Sequence, residues 1–285
     1  MNKTWFDTRR KRQNSVGIAE DLFKGFNPLS CEEFMRPLAA DPELGEYVKH
    51  DRIPVPAPED REGYYGERHF CYWLSGLYDY KQILQHVPSV NPGGTVVDFG
   101  GASGRVARFF SLHHPGSDVI VAELNINHID YVNDHFPVNT KTIKLSSYPH
   151  FMLADASVDL LYAFSVFTHI DAYELSWIAE IYRILKPGSY AYLTIHSEET
   201  WNLLPEAHLY KALSENREFR KLFREGQPMP HDRLVFEYNP ESHDYNCNVF
   251  HHSRYIEAHW GKWFRIEKII YQGHSYQTVV ILRKP

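Results

Sequence analysis

The chain has 285 residues, and 43% of them are hydrophobic, so it is long enough for one large domain with a substantial core. Its formal net charge of −6 argues against nucleic acid as the main partner, because domains that bind nucleic acid usually carry a basic surplus. No apolar run approaches the roughly 18 residues of a membrane span, and the N-terminal stretch lacks the apolar core of a signal peptide.

The cysteines and histidines indicate in which cellular compartment the protein works and whether it binds a metal. Cys31, Cys71 and Cys247 are odd in number and far apart, which favours free thiols over a disulfide framework or a zinc site. The 17 histidines show no spacing typical of metal ligands. We therefore expect a cytoplasmic protein with no metal site. The basic run at 9–12 is expected to be a solvated N-terminal arm.

The first 90 residues predict an N-terminal arm and a helical cap. A proline-rich connector at 53–58 precedes a helical segment at 64–87 that is rich in aromatic residues and ends before Pro88. Apolar residues occupy more than one face of this helix. We therefore expect it to be buried against the rest of the chain.

From residue 95 onward, strand and helix patterns alternate. Strands are predicted at 95–98, 118–124, 141–145, 158–164 and 190–195, with helices at 104–112, at 127–135 and after a capping box at 171–174. Such alternation with right-handed crossovers predicts a doubly wound, mostly parallel α/β sheet. Two apolar segments at 263–271 and 277–282 add an antiparallel C-terminal hairpin, which gives seven strands.

Between the fifth predicted strand and the hairpin, the regular alternation is lost. Residues 197–252 contain helical patterns at 205–214 and 217–224 and two possible strands at 233–238 and 245–250, and Ser253 is expected to cap a short helix. We expect this insertion to sit over the strand ends. The predicted organisation is thus a cap at 1–90 and a core at 91–285 that carries an insertion at about 197–252.

A glycine-rich turn, Asp98-Phe-Gly-Gly-Ala-Ser-Gly104, follows the first predicted strand, where open α/β sheets bind ligands. The dinucleotide fingerprint Gly-x-Gly-x-x-Gly fails whether it starts at Gly100 or Gly101, and no P-loop lysine is present. Glu123 closes the second predicted strand, where an acid accepts hydrogen bonds from ribose hydroxyls. These residues predict a site for a nucleoside-type cofactor.

Four motifs in order resemble those of the class I S-adenosylmethionine-dependent methyltransferases. They are the turn at 97–104, the acid Glu123, the fourth-strand segment at 157–169 and the turn at 185–188. The resemblance covers roughly residues 90–196 and 262–283. It implies a Rossmann-like methyltransferase fold and an enzyme that moves a methyl group from S-adenosylmethionine to an acceptor by in-line displacement.

The resemblance also implies which residues bind the cofactor. Glu123 would hold the ribose, and Leu124 would pack on the adenine. The full set is Asp98, Gly100, Gly101, Ala102, Gly104, Glu123, Leu124, Ser146, Phe164 and Ser165, with Tyr65 in an aromatic segment that is either a lid or a packing helix. Two positions depart from the family pattern. Ala102 replaces a frequent glycine, which is tolerable if its φ is negative, and Ser146 stands where many relatives carry an acid.

Methyl transfer needs alignment of the reactants and, for an acceptor such as a hydroxyl, a base. His169 and His196 follow the fourth and fifth predicted strands, and histidine titrates near neutrality, so they are the candidate catalytic residues. A structural role remains the alternative for each. Candidate substrate residues in or beside the insertion are Arg233, Tyr245, His251 and His252.

The sequence therefore predicts a methyltransferase with a small-molecule or glycan-type acceptor, the latter by analogy alone. The oligomeric state stays open. One alternative is a module that binds S-adenosylmethionine without catalysis. Another is a nucleotide-sugar or NAD enzyme on a similar sheet, against which the failed dinucleotide fingerprint counts.

Overall fold

The structure, a computed structural model, describes residues 14–88, 93–238 and 247–285. The basic run at 9–12 and Tyr245, one of the predicted substrate residues, lie outside the described residues. The chain divides into two compact units, Met1–Leu145 and Ser146–Pro285. The prediction of a cap at 1–90 and a core at 91–285 stays a prediction.

The first unit contains short helices and strands followed by the first part of the strand–helix alternation. In chain order its elements are β1 (Ser15–Gly17), α1 (Ala19–Phe23), α2 (Arg36–Ala39), α3 (Leu44–His50), β2 (Val55–Pro56), α4 (His69–His86), β3 (Thr95–Phe99), α5 (Ala107–His113), β4 (Asp118–Glu123), α6 (Ile126–His135) and β5 (Thr140–Lys144). Most residues of α4 are buried, in agreement with its apolar residues on several faces. The helix begins at His69, later than the predicted start at 64.

A buried ion pair ties the extended connector before β2 to the helices of this unit. Arg108 of α5 donates to the carboxylate of Asp51 at 2.7 Å, and Trp73 of α4 donates to the same carboxylate at 2.6 Å. The guanidinium also donates to the carbonyl of Ile53 at 2.5 Å. Burying two charges is favourable only when further hydrogen bonds satisfy them, and this arrangement supplies those bonds.

Cys31 and Cys71 form a disulfide that joins the N-terminal segment to the first turn of α4. The prediction of free thiols is therefore wrong for this pair. Distance along the sequence says little about distance in space, and the fold brings the two Cα atoms to 5.6 Å, a separation that a disulfide spans. Cys247 is free and buried. The cysteines thus no longer argue for a reducing compartment, and a cytoplasmic location stays a prediction.

Reduction of this disulfide is expected to destabilise the protein. The two cysteines are 40 residues apart, and closing a loop of that length restricts the unfolded chain by an amount worth about 3–4 kcal/mol. Urea unfolding with and without reductant measures the change. The double variant Cys31→Ser, Cys71→Ser is the matched control, because reductant should not change its stability. An equal unfolding midpoint in the oxidised and reduced wild type would contradict the expectation.

The second unit continues the alternation and adds the insertion and the closing hairpin. Its elements are β6 (Val158–Ala163), α7 (Glu174–Ile184), β7 (Leu185–Ile195), α8 (Glu198–Leu203), α9 (Leu209–Leu213), α10 (Arg217–Leu222), β8 (Arg233–Glu237), β9 (Cys247–His251), α11 (Ser253–His259), β10 (Arg265–His274) and β11 (Gln277–Arg283). The sequence predicted each of these strands with slightly different bounds. The largest difference is in β7, which starts at Leu185 and includes the segment predicted as a turn.

Seven strands form one sheet in the order β10-β11-β7-β6-β3-β4-β5. The pairs β3–β4, β4–β5 and β6–β7 are parallel, whereas β11 runs antiparallel to both β7 and β10. This confirms the predicted doubly wound, mostly parallel sheet with an antiparallel C-terminal hairpin. None of the helices in the described ranges has the length and apolar character that a membrane crossing requires.

The insertion after β7 has an apolar cluster of its own, centred on Trp201 of α8. The indole ring packs edge-on against Phe219 and Phe250, with centroids 5.7 and 5.6 Å away. Strand β9 pairs with β8 and also lies against the segments that follow β6 and β7. The N–H of Val249 donates to the carbonyl of Thr168, and the N–H of His251 donates to that of His196, both at 2.8 Å.

Candidate functional site

The turn after β3 is tightly packed, and glycine is required at two of its positions. A side chain at Gly101 would come within 2.6 Å of the carboxyl carbon of Asp98. Gly104 has a φ of +79°, and a side chain there would lie 2.4 Å from the ring of Phe136. Since only glycine fits these positions, the motif is explained locally by the close approach of the backbone to Asp98 and to the end of α6.

Ala102 lies in the same turn and has a φ of +46°, so the negative φ that would make alanine tolerable here is not present. The left-handed region costs a residue other than glycine roughly 1–2 kcal/mol. The N–H of Ala102 donates to Oε2 of Glu123 at 2.9 Å, and this bond to a charged acceptor offsets the strain.

Glu123 is the last residue of β4 and is 9% exposed. Its Oε1 accepts hydrogen bonds from the N–H groups of Leu124 and Asn125, at 2.7 and 2.8 Å. With the bond from Ala102, three of the roughly four lone-pair positions of a carboxylate are used. Oε2 thus keeps capacity for one more donor. The side chain of the next residue, Leu124, is 41% exposed and offers apolar surface.

Tyr65 lies close to the segment that follows the glycine turn. Burial raises the pKa of Tyr65 to about 12, and its hydroxyl hydrogen-bonds to Ser75 of α4. Arg105, the residue after Gly104, donates to the same Ser75 hydroxyl at 3.1 Å. The predicted lid residue is therefore fixed to α4 and lies next to Arg105.

In the second unit, the end of β6 is held by β7 and β11. Ser165 has a φ of +56°, its N–H donates to the hydroxyl of Thr194 at 2.7 Å, and its own hydroxyl accepts from the amide of Gln277 at 2.9 Å. The ring of Phe164 lies 5.7 Å from that of Tyr192. These contacts fix the backbone where the strand ends.

Ser146 is the first residue of the second unit and is exposed. Its hydroxyl is 3.3 Å from the N–H of Tyr148, which donates to it. The side chain therefore supports a local turn, and its predicted role beside an adenine stays a prediction.

The two candidate bases differ in their surroundings. His169 is exposed, and its Nδ1 lies 2.7 Å from the carbonyl oxygen of Cys247. His196 is 2% exposed, and its Nδ1 has no hydrogen-bond partner among the described residues. Burial lowers the pKa of His196 well below 6.5, and the proximity of His169, His251 and His208 lowers it further. His196 is therefore neutral at pH 7, with one ring nitrogen that can accept a proton.

Two of the predicted substrate residues, Arg233 and His251, belong to a buried charge network around Glu174 of α7. Arg233 Nε and Trp260 Nε1 donate to the Glu174 carboxylate at 2.8 and 2.6 Å, and Nε2 of His251 lies 3.2 Å from it. Arg233 also donates to Asp171 at 2.9 Å. These contacts give both side chains a structural role in the network, and their contact with a substrate stays a prediction.

The same network overturns the predicted capping box at 171–174. The N-cap of α7 is Tyr173, which has a φ of +62° and makes no side-chain cap. Asp171 and Glu174 instead pair with Arg233, whose charge binds a carboxylate more strongly than a backbone N–H does.

His252, another predicted substrate residue, is the N-cap of α11, where its Nδ1 accepts from the N–H of Arg254. The prediction that Ser253 caps this helix is therefore wrong. Ser253 donates its hydroxyl to Glu198 at 2.5 Å instead.

Two buried polar residues beside His196 escaped the sequence analysis. Thr168 and Asn248 are 0% and 3% exposed, and each has a side-chain oxygen without a hydrogen-bond partner among the described residues. A signal existed for Asn248, since it is a polar residue inside the apolar strand Cys247–His251. No group of three or more potential ligands in the described ranges is arranged to hold a metal ion.

Comparison with known proteins identifies the central part of the chain. Residues 97–193, which include the glycine turn, Glu123 and β6, match the sequence model of a family described as a methyltransferase domain. Residues 97–193 belong to the class I S-adenosylmethionine-dependent methyltransferases. The cofactor of this methyltransferase is accordingly S-adenosylmethionine. The match counts against the alternative of a nucleotide-sugar or NAD enzyme.

Solved structures support the same fold for the methyltransferase. A Listeria monocytogenes protein named as an S-adenosylmethionine-dependent methyltransferase superposes with a TM-score of 0.53 at 10% identity, over 74% of this chain and 98% of that chain. A chain from the complex between the Haloferax volcanii Trm112 methyltransferase activator and its methyltransferase gives 0.51 at 16% identity, over 74% and 92%. At these identities the likeness shows the fold alone. A search of curated proteins finds no match.

Proposed function

We propose that this methyltransferase methylates a small-molecule or glycan-type acceptor and that His196 is its general base. The observation that carries the proposal is the state of His196, which directly follows β7, is buried and neutral, and has an unpartnered ring nitrogen. A general base typically contributes a rate factor of about 10²–10⁴.

For the cofactor, we propose that Glu123 holds the ribose and that Leu124 packs on the adenine. The remaining acceptor capacity of Glu123 Oε2 suits a ribose hydroxyl, and the exposed side chain of Leu124 suits an apolar ring. The turn from Asp98 to Gly104 would accommodate the methionine part. When bound, S-adenosylmethionine supplies an electrophilic methyl carbon, and the chain aligns the acceptor and excludes water.

The Glu123→Ala variant is expected to bind S-adenosylhomocysteine more than tenfold more weakly than the wild type. The substitution removes the ribose acceptor and releases the N–H of Ala102, which loosens the turn. Calorimetry measures the affinity, and near-ultraviolet circular dichroism reports whether the fold persists. Glu43→Ala is the control, because Glu43 is exposed and directly precedes α3. A folded Glu123→Ala protein with wild-type affinity would refute the ribose assignment.

His169 is the second candidate base. Its Nδ1 faces a carbonyl oxygen, which can only accept, so the proton of the neutral ring is on Nδ1 and Nε2 is the acceptor. Its exposure favours proton exchange with water over abstraction of a proton from a bound acceptor. We therefore assign the catalytic proton transfer to His196.

The proposed function is tested by methyl transfer to a panel of acceptors. The enzyme is incubated with S-adenosylmethionine and neutral glycosides, nucleotide sugars, phenols or amines, and the products are analysed by mass spectrometry. We expect methylation of at least one hydroxyl compound and its loss in His196→Ala. Methylation of amines only, or equal rates in the variant, would contradict the role of His196 as a base.

A further inference from the structure

Three buried polar side chains in the second unit share an unusual feature. Thr168, His196 and Asn248 are at most 3% exposed, and each has an atom (Oγ1, Nδ1 and Oδ1, respectively) without a hydrogen-bond partner among the described residues. Buried polar groups are almost always hydrogen-bonded, and leaving one unpaired costs about 1–3 kcal/mol. These three atoms belong to segments that β9 brings side by side, and together they indicate a place where a ligand completes the hydrogen bonding.

The edge of β9 brings the three side chains together. The bond from the N–H of His251 to the carbonyl of His196 places His196 beside Phe250, and their rings are 5.0 Å apart. The equivalent bond from Val249 to Thr168 places Thr168 beside Asn248. Asn248 and Phe250 are two residues apart in a strand and therefore point to the same face.

We propose that Thr168, His196 and Asn248 form the acceptor subsite and that it takes a neutral molecule that presents hydroxyl groups. This inference rests on the proposed function, since it names the substrate class of the same site. Thr168 and Asn248 are binding residues in this arrangement, and His196 receives the hydroxyl proton.

The hydrogen-bonding capacity of the subsite matches a hydroxyl group. The amide of Asn248 is oriented by its Nδ2, which donates to the hydroxyl of Tyr238, so Oδ1 is the acceptor that no described residue uses. The Thr168 hydroxyl can donate or accept. A ligand hydroxyl can likewise donate to Asn248 or His196 and accept from Thr168, whereas an ether or a ketone can only accept.

Within the described part of the second unit, the charges of Glu174 and Arg233 are already paired, which disfavours a charged acceptor. A cationic amine would need a free carboxylate, but Glu174 is bound by Arg233 and Trp260. An anionic ligand would need a free guanidinium, but Arg233 is bound by Asp171 and Glu174. A buried ligand charge without a partner is costly, so a neutral acceptor is favoured.

The experiment uses the full chain with S-adenosylhomocysteine and three pyranose probes that differ in charge. The probes are methyl α-D-glucopyranoside (neutral), D-glucosamine (cationic) and D-glucuronate (anionic), and saturation-transfer difference NMR measures their binding. We expect binding of the neutral probe alone. Thr168→Val removes one hydroxyl without a change of shape and should weaken binding at least fivefold. Asn202→Leu, at an exposed position in the insertion, should leave it unchanged.

Asn248→Asp gives a second test that does not depend on loss of binding. It preserves the size of the side chain and adds a carboxylate, so the preference should move from the neutral probe to D-glucosamine. The proposal would be overturned if no probe binds or if a charged probe binds to the wild type. It would also be overturned if Thr168→Val leaves the binding unchanged or if Asn248→Asp leaves the preference among the probes unchanged. If the neutral probe binds and these variants change its binding, but no methyl transfer is detected, the subsite is supported and the proposed function is refuted.

Discussion

The His196→Ala variant is expected to lose a factor of about 10²–10⁴ in kcat/KM for a hydroxyl acceptor while its affinity for S-adenosylhomocysteine stays unchanged. The loss follows because the acceptor proton would then have no buried base to receive it. The exposed His169 provides the comparison, because the His169→Ala variant should lose less than tenfold in kcat/KM. If the two variants show the reverse order, His169 is the base.

The pH dependence of the wild type gives an independent measurement of the same role. Only the neutral form of His196 can accept a proton, and its pKa lies well below 6.5 because the ring is buried and other histidines are close. As the pH falls, kcat/KM should therefore stay constant through pH 6.5 and decline only in more acidic solution. An ordinary exposed histidine would give a midpoint near 6.5. A midpoint at or above this value would exclude His196 as the base.

The fold could be predicted because its signals are local. Strand β4 is an almost continuous apolar run that ends in an acid, and the turn after β3 needs glycine wherever its backbone meets Asp98 or Phe136. Each of these features lies within a few residues of the element that it defines. The order of the motifs then sufficed to predict the topology of the sheet.

The wrong predictions concern contacts between distant residues. The positive φ of Ala102 is stabilised by Glu123, which lies 21 residues away. Cys31 meets Cys71 across 40 residues. The segment from Asp171 to Glu174 has the pattern of a capping box, but Arg233, about 60 residues downstream, binds both carboxylates. A sequence pattern gives the preference of a segment and does not reveal which distant group competes for its side chains.

The same contrast between local signals and contacts of distant residues applies to the candidate site. The glycine turn and Glu123 could be proposed from their spacing, since a cofactor of fixed shape demands a fixed arrangement along the chain. The residues around His196 gave no such pattern. Thr168 and Asn248 lie 80 residues apart and meet only because β9 lies beside the segments that follow β6 and β7.

The Glu174→Gln variant is expected to show a large loss of stability, about 3 kcal/mol at pH 7, because it removes the buried carboxylate charge that Arg233 and Trp260 bind and leaves the half-buried Arg233 with Asp171 as its acidic partner. Burial alone would raise the pKa of Glu174. His251, the Trp260 N–H and Arg233 outweigh burial, however, and lower it from 4.5 to about 2. Urea unfolding at pH 7 measures the loss, and Glu218→Gln, at an exposed position, is the matched control.

The sign of the acid dependence follows from that lowered pKa. The unfolded chain takes up a proton at Glu174 near pH 4.5, whereas the folded protein does so only near pH 2. The stabilisation from this carboxylate is therefore present above pH 4.5 and is lost between pH 4.5 and 2, by about 3 kcal/mol in total. Glu174→Gln should lack this part of the acid transition, and an identical acid dependence in variant and wild type would contradict the network. The double variant Glu174→Leu, Arg233→Met should be more stable than either single variant, because an apolar pair replaces the ion pair at little cost. Glu174→Leu alone leaves Arg233 with Asp171 only, and Arg233→Met alone leaves the buried Glu174 without its arginine.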